Sequence, residues 1–341
     1  MTHGLMRYDP DVGYTFTPDL KLRMEDPSGG YLVRTNAAGF RSEREFTAER
    51  QPGKVRALLF GDSQTAGDGV NNRFRFSDCL EGLLPGLDVY NYGLTGTGTD
   101  QQYQIYRHHA KVEHDLVIVA VFVENIRRIV LPATKFKNDR GEYQYRAKPY
   151  FTLEDDRLVL HHVPVPKQPW TPETVPPQML EPASRLRRRS AFTGAVKAAL
   201  RHLPAGPLRR LATATAAAAA RGTGYQPVPD YDSADTHGWQ ILRAILSDWI
   251  KTSAVPVLIV PLPMWTFIER SSDPSGIQAR FGELARETGA HVYDPLADLW
   301  ALPTEEQQSF WNVNTGHYSK RGHEVLARLL APVVAEIVPR L

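Results

Sequence analysis

Apolar stretches of strand length alternate with segments of helical periodicity along most of this chain. The strand-like runs at 55–60, 116–123 and 255–260 are apolar nearly throughout, without the in–out alternation of a half-exposed strand. Strands buried on both faces show this pattern, because helices cover both sides of a parallel sheet. The predicted core comprises strands at 55–60, 88–92, 116–123, 255–260 and 290–294 and helices near 74–84, 100–113, 237–251, 276–288 and 319–336. The sequence therefore predicts an α/β fold with a central parallel sheet.

This core is expected in two pieces, at 54–130 and 236–341, with a β-rich extension at 1–53 before it. The interruption at 131–235 is too long for a loop in a compact domain, so it is predicted to carry structure of its own. The insertion joins a core strand to a core helix. We therefore expect it to begin close to any site at that edge of the sheet. We interpret it as an inserted cap or lid.

Three patterns inside the insertion suggest its structure. Residues 142–145 and 157–160 predict a β-hairpin or small sheet around the turn-like Glu154-Asp155-Asp156. Helical spacing at 191–203 and the alanine run Ala216–Ala220 favour helix. The insertion also has a concentrated positive charge in the segment Arg185-Leu186-Arg187-Arg188-Arg189. This segment can be interpreted as a solvated helix face or as an anion-binding rim for the substrate.

Composition and charge exclude several classes of protein. The 341-residue chain has a net charge of +2, which gives no global field for nucleic acid or an acidic partner. It contains no apolar stretch of the ~18 residues that a membrane span needs, and residues 1–10 lack the apolar core of a signal peptide. Cys79 is the only cysteine, so no intrachain disulfide is expected and the default location is cytoplasmic. No zinc spacing, dinucleotide fingerprint or phosphate loop is present, so no metal and no cofactor are predicted.

A serine follows the first predicted core strand, in the turn Gly61-Asp62-Ser63. Open α/β sheets bind ligands at the carboxyl ends of their strands, so Ser63 is placed where a nucleophile could act. The alternative is that Ser63 caps a helix that starts at this turn. Gly96 and Asn125 also follow predicted strands, and His317 precedes the last helix. The four residues can therefore meet at one edge of the sheet, with the hydroxyl, base and donors that acyl transfer requires.

Four segments resemble the signature blocks of the SGNH (GDSL-type) hydrolases, in the order in which that family has them. They are Gly61-Asp62-Ser63, Asn91-Tyr92-Gly93-Leu94-Thr95-Gly96, Val123-Glu124-Asn125 and Asn314-Thr315-Gly316-His317 with Gly322-His323. The resemblance covers about 54–130 and 236–336. It implies a flavodoxin-like three-layer α/β/α sandwich with a central parallel sheet, to which the amino-terminal extension and the inserted cap are added.

The resemblance also implies roles for the residues of the four blocks. Ser63 would be the nucleophile and His317 its general base, with the backbone N–H groups of Ser63 and Gly96 and the side-chain amide of Asn125 as oxyanion donors. The family has Asp-x-x-His in the last block, whereas this chain has asparagine at position 314. Asn314 can accept a hydrogen bond from the imidazole but cannot stabilise its positive charge. Asp294 or a backbone carbonyl are the alternatives for this third position.

The function implied is that of a serine esterase or deacylase acting through an acyl-enzyme, with a small-molecule or carbohydrate O-acyl ester as substrate. Two alternatives stay open. The same nucleophile could pass the acyl group to an acceptor hydroxyl, as an O-acyltransferase does. The third block reads Val123-Glu124-Asn125-Ile126 where the family has Gly-x-Asn-Asp. This departure and the asparagine at position 314 could instead belong to a non-catalytic binding protein that has kept the fold.

Overall fold

The amino-terminal residues form two antiparallel hairpins. In the computed structural model, which describes residues 4–26, 29–138, 140–180 and 226–340, strand β1 (Met6–Asp9) pairs with β2 (Gly13–Phe16), and β3 (Lys21–Met24) pairs with β4 (Tyr31–Arg34). All four residues of β2 are buried, and the side chains of the first hairpin join the hydrophobic core. The extension is thus packed on the α/β domain rather than held apart from it.

The first part of the core contains three parallel strands and the helices that connect them. These elements are β5 (Val55–Phe60), α1 (Ser63–Ala66), α2 (Phe76–Leu83), β6 (Leu87–Asn91), α3 (Thr99–His108), β7 (Leu116–Phe122) and α4 (Ile126–Ile129). The insertion follows with β8 (Ala133–Lys137), β9 (Tyr143–Ala147), β10 (Tyr150–Glu154) and β11 (Arg157–His161).

The second part of the core returns to the sheet and ends on the longest described helix. Its elements are α5 (His237–Thr252), β12 (Val257–Leu262), α6 (Trp265–Ile268), α7 (Ser275–Thr288), β13 (His291–Val292), α8 (Leu296–Ala301), α9 (Thr304–Ser309), β14 (Trp311–Asn312), β15 (His317–Tyr318) and α10 (Lys320–Ile337). The predicted core strands and helices are all present, with ends that differ by a few residues. Within the described ranges, every helix is too short or too polar to cross a membrane.

The central sheet has five strands in the order β6-β5-β7-β12-β13, and all of its pairs are parallel. Counted along the chain, this is the order 2-1-3-4-5 of flavodoxin-like folds. β5, β7 and β12 are buried at every position, as strands covered on both faces must be. The order of winding reverses between β5 and β7, and ligands of such sheets bind at that point, beyond the carboxyl ends of the strands. Ser63 and Asn125 follow these two strands.

The hairpin prediction for the insertion is partly wrong. Arg157–His161 does form a hairpin strand, but its partner is Tyr150–Glu154, while Tyr143–Ala147 pairs with Ala133–Lys137. The two-residue turn explains the register, because Asp155 and Asp156 have φ of 48° and 60°, as a tight type I′-like hairpin turn needs. A turn this short requires the preceding five residues as its partner.

The described part of the insertion is fastened to the core beside the sheet edge. Lys148 forms a buried ion pair with Asp100 of α3. The helix predicted at 191–203, the alanine run Ala216–Ala220 and the basic cluster Arg185–Arg189 lie outside the described residues.

His323 lies in the first turns of α10, which Ser319 caps by accepting a hydrogen bond from the Gly322 N–H at 3.0 Å. The His323 ring is fully buried and stacks on Phe76, and its Nδ1 accepts a hydrogen bond from the Phe76 N–H at 3.2 Å. Burial, together with the nearby positive charge of Arg41, lowers the pKa of His323 to about 3. These contacts fit a structural role for this histidine.

The low pKa of His323 predicts that mild acid destabilises the protein. The folded state keeps the ring neutral, whereas the unfolded chain binds a proton near the ordinary pKa of 6.5. The resulting stability is present above pH 6.5 and is lost as the pH falls toward 3. Through this group, the free energy of unfolding should drop by about 2 kcal/mol between pH 7 and pH 5.

The variant His323→Asn tests this prediction, because asparagine keeps an acceptor for the Phe76 N–H but does not titrate. Urea unfolding at pH 7 and pH 5 should show a smaller acid loss in the variant than in the wild type. An equal loss in both proteins would show that His323 does not cause the acid sensitivity.

Candidate active site

Ser63 is the first residue of α1 and sits directly beyond the end of β5. Asp62, not Ser63, caps this helix, since its Oδ1 accepts a hydrogen bond from the Gln64 N–H at 3.0 Å. The alternative interpretation of Ser63 as the N-cap is therefore wrong. Because the cap is provided by its neighbour, the Ser63 hydroxyl is available for another partner.

That partner is the imidazole of His317, whose Nε2 lies 2.9 Å from Ser63 Oγ. The other ring nitrogen, Nδ1, lies 3.0 Å from the carbonyl oxygen of Thr315. A carbonyl can only accept, so Nδ1 must carry the proton and Nε2 is left as the acceptor for the serine hydroxyl. This tautomer is the one that a general base for Ser63 requires.

The structure does not bring Asn314 to the ring. Its side chain is exposed, and its N–H donates to Asn312 Oδ1 at 3.1 Å. Asp294 is also engaged elsewhere, because its two carboxylate oxygens accept from the Leu296 N–H and from Gln278 Nε2, each at 3.0 Å. Of the three candidates for the third position, the backbone carbonyl is the one at Nδ1, and the predicted catalytic role of Asn314 lacks geometric support.

Gln64 fixes the histidine loop against the serine turn. Its Oε1 accepts from the Tyr318 N–H at 2.9 Å, and its Nε2 donates to the Gly316 carbonyl at 3.3 Å. These two backbone groups flank His317 in sequence. A single buried side chain next to Ser63 thus sets the position of the histidine, a role that sequence inspection missed because a glutamine in a turn carries no pattern.

The predicted oxyanion donors gather at the same edge. Asn125 Nδ2 donates to Asp62 Oδ2 at 2.7 Å, and its second hydrogen has only a long contact of 3.5 Å to the Thr97 carbonyl. Within the described residues, the backbone N–H groups of Ser63 and Gly96 donate no hydrogen bond to the protein. A developing oxyanion needs unpartnered donors of this kind, and the oxyanion role of these three groups stays a prediction.

Asn91 holds the second block against the serine turn. Its Nδ2 donates to the Thr65 carbonyl at 2.8 Å, and its Oδ1 accepts from the Gly93 N–H at 2.8 Å. The two loops approach so closely that a Cβ on Gly93 would lie 2.6 Å from the Ala66 nitrogen. Only glycine permits this approach.

A carboxyl group, Asp68, acts electrostatically on this site. It is partly buried and accepts a hydrogen bond from Thr95 Oγ1 at 2.8 Å. Burial raises the pKa of Asp68, and the neighbouring His317 and Arg41 oppose that rise. Its position after α1 places negative charge near the histidine without a direct hydrogen bond to the ring in the described structure.

Asp9, Asp11 and His109 are spaced closely enough to hold a metal ion. The group lies at the first hairpin and not beside Ser63. Asp9 Oδ1 already accepts the N–H groups of Asp11 and Val12, at 3.0 and 2.9 Å, and Asp9 Oδ2 lies 3.1 Å from His109 Nε2. These contacts give the cluster a structural explanation as a turn and its neighbour.

Fold and site together define an α/β protein with a serine–histidine pair at the switch point of a flavodoxin-like sheet. No protein-family model and no curated protein sequence matches the chain. Among solved structures, the chain is similar to a member of the lipolytic protein G-D-S-L family from Veillonella parvula DSM 2008, with 13% identity, 84% of this chain and 100% of that chain covered, and a TM-score of 0.40.

The lipase/acylhydrolase from Enterococcus faecalis is similar at 14% identity, with 83% of this chain and 96% of that chain covered and a TM-score of 0.39. A two-domain esterase active on acetylated mannans is similar at 10% identity, with 85% of this chain and 50% of that chain covered and a TM-score of 0.38. All three similarities are remote. The roles of residues in this chain therefore rest on its own geometry.

Proposed function

We propose that this protein is a serine esterase or deacylase that hydrolyses an O-acyl ester through an acyl-enzyme on Ser63. The observation that carries the proposal is the 2.9 Å contact between Ser63 Oγ and His317 Nε2. It is supported by the tautomer that the Thr315 carbonyl imposes and by the free N–H groups of Ser63 and Gly96. The small-molecule or carbohydrate ester suggested by the sequence resemblance stays a prediction.

In the first half of the reaction, His317 Nε2 takes the hydroxyl proton while Ser63 Oγ bonds to the ester carbonyl carbon. The carbonyl oxygen becomes an oxyanion, which the N–H groups of Ser63 and Gly96 and the second hydrogen of Asn125 Nδ2 stabilise. The protonated imidazole then gives its proton to the leaving alkoxide, so the alcohol departs and the acyl-enzyme remains.

The second half reverses these roles with water as the nucleophile. His317 takes a proton from water, the hydroxide oxygen bonds to the acyl carbon, and the Ser63 Oγ bond breaks as the proton returns to it. A carboxylic acid and the free enzyme result. An alcohol in place of water would give acyl transfer to that alcohol, so the identity of the acceptor distinguishes the esterase from the O-acyltransferase.

The Thr315 carbonyl holds the ring in the correct tautomer but carries no full negative charge. It therefore stabilises the imidazolium less than a carboxylate would. We therefore expect slower ester hydrolysis than in an enzyme whose catalytic histidine is hydrogen-bonded to an aspartate.

The test is the rate of ester hydrolysis by purified Ser63→Ala, measured on short-chain p-nitrophenyl esters and acetylated sugars. Loss of the nucleophile should lower kcat by a factor on the order of 10^4 or more. Ser275→Ala is the matched control, because Ser275 is exposed at the start of α7 and bonds Asp273. Hydrolysis undiminished in Ser63→Ala would refute the proposal and leave the non-catalytic binding protein as the better account.

A further inference from the structure

The first hairpin carries a tyrosine to the predicted oxyanion site. Tyr14 of β2 is 8% exposed, and its hydroxyl donates to the Thr95 carbonyl oxygen at 2.9 Å. A Cβ placed on Gly96 would lie 2.9 Å from that same hydroxyl oxygen. The Tyr14 hydroxyl therefore bonds the Thr95–Gly96 peptide and lies so close to Gly96 that a side chain there would meet it.

The Thr95 carbonyl and the Gly96 N–H belong to one planar trans peptide unit, so they point in opposite directions. Fixing the direction of the carbonyl fixes the direction of the N–H. A hydrogen bond to the carbonyl also polarises the peptide, which strengthens its N–H as a donor. Tyr14 thus acts on the predicted oxyanion donor from the opposite edge of the planar peptide unit.

Gly96 makes such a restraint necessary. Its φ is +84°, in the region that favours glycine, and a residue without a side chain lets the preceding peptide rotate easily. The peptide that follows Gly96 is held through the Thr97 N–H, which donates to the Leu94 carbonyl at 3.3 Å. For the peptide that precedes Gly96, the hydrogen bond to its carbonyl within the described residues comes from Tyr14.

The hydroxyl keeps its proton over the working range of the protein. Burial raises the pKa of Tyr14 to about 12, against the opposing effect of Arg128 and Arg146. The phenol therefore stays a donor to the Thr95 carbonyl at neutral and mildly alkaline pH.

We propose that Tyr14 is a positioning residue: its hydroxyl holds the Thr95–Gly96 peptide so that the Gly96 N–H faces the oxyanion formed at Ser63. The amino-terminal extension is then part of the active site rather than an appendage to it. This inference rests on the proposed ester hydrolysis for its catalytic consequence, but the peptide orientation itself can be measured without activity.

The chain offers a matched control in the same hairpin. Tyr8 pairs with Tyr14 across β1 and β2, and its hydroxyl also donates to a backbone carbonyl, that of Val165 at 2.6 Å. Tyr14→Phe and Tyr8→Phe therefore each remove one tyrosine–carbonyl hydrogen bond from one hairpin. Tyr8 is 39% exposed and Tyr14 8%, so the two variants are compared in kcat and not in Tm. A merely structural role for Tyr14 predicts a similar kcat for both.

The positioning role predicts a different result. Tyr14→Phe should lower kcat about tenfold with KM nearly unchanged, as expected for an interaction that matters in the transition state, while Tyr8→Phe should change kcat less than twofold. In the unliganded protein, the amide resonance of Gly96 should shift in Tyr14→Phe and stay in place in Tyr8→Phe.

The two failures are distinguishable. A Gly96 amide resonance that is unmoved in Tyr14→Phe, or a kcat reduced equally by both variants, would overturn the positioning role. Absence of ester hydrolysis in the wild type would overturn the proposed function, whatever the amide resonance shows.

Discussion

Replacing His317 with glutamine is expected to reduce kcat for ester hydrolysis by a factor on the order of 10^4 or more. Glutamine is polar and of similar reach, but it cannot take the proton from the Ser63 hydroxyl, whose oxygen lies 2.9 Å from His317 Nε2. KM should change little, because the imidazole acts on the proton that is transferred in the transition state and does not bind the ester in the ground state. Steady-state kinetics on a p-nitrophenyl ester measures both constants.

The same substitution at His291 is the matched control. His291 is exposed in β13, so His291→Gln should keep kcat within about twofold of the wild type. Activity above one tenth of the wild type in His317→Gln would mean that another group serves as the base. In that case the serine–histidine pair would be a structural contact and the mechanism would have to be abandoned.

Replacing Asn125 with alanine is expected to lower kcat by about 10^2 to 10^3, again with KM nearly constant, which is the usual effect of removing one oxyanion donor. The physical reason is that the alanine variant offers no side-chain hydrogen to the oxygen that becomes charged. Saturation kinetics, with kcat and KM determined separately, measures this effect.

Asn125→Ala also removes the 2.7 Å partner of the buried Asp62 carboxylate, so the free energy of unfolding should fall by about 1–3 kcal/mol. Urea unfolding identifies the concentration range in which the variant is still folded, and kinetics in that range isolates catalysis from stability. Asn138→Ala provides the control, at a half-buried asparagine of the insertion whose side chain bonds Glu142 and the Arg140 N–H. A kcat within about threefold of the wild type would refute the oxyanion role of Asn125.

The core of the fold could be predicted from the sequence because its signals are local. Apolar runs such as Val55–Phe60 and Leu116–Phe122 are buried at every position and pair as neighbours in the sheet. Parallel strands place the residues that follow them at one edge, which explains the positions of Ser63 and Asn125. His317 reaches Ser63 from the segment before α10, 254 positions away in sequence. Sequence resemblance to a known family strengthened this expectation and did not replace it.

The features that sequence reasoning missed depend on contacts between distant, unpatterned residues. A backbone carbonyl was among the predicted partners of the His317 ring, but the sequence did not identify Thr315 as its source, because every residue has a carbonyl. Gln64 acts through side-chain hydrogen bonds to two backbone groups. Tyr14 reaches Thr95 from an extension that was predicted from the sequence only to be β-rich. In the insertion, Tyr143–Ala147 pairs with Ala133–Lys137, a strand that was not predicted from the sequence.

The central claim is that Ser63 is an activated nucleophile, and labelling with a serine-directed fluorophosphonate tests it most directly. Its phosphorus accepts the Ser63 oxygen and loses fluoride, which leaves a stable adduct that peptide mass spectrometry locates. We expect stoichiometric labelling of the peptide that contains Ser63 in the wild type, and no labelling of that peptide in Ser63→Ala or His317→Gln. A folded wild-type protein that stays unlabelled at Ser63, or a His317→Gln variant labelled as fast as the wild type, would contradict the account.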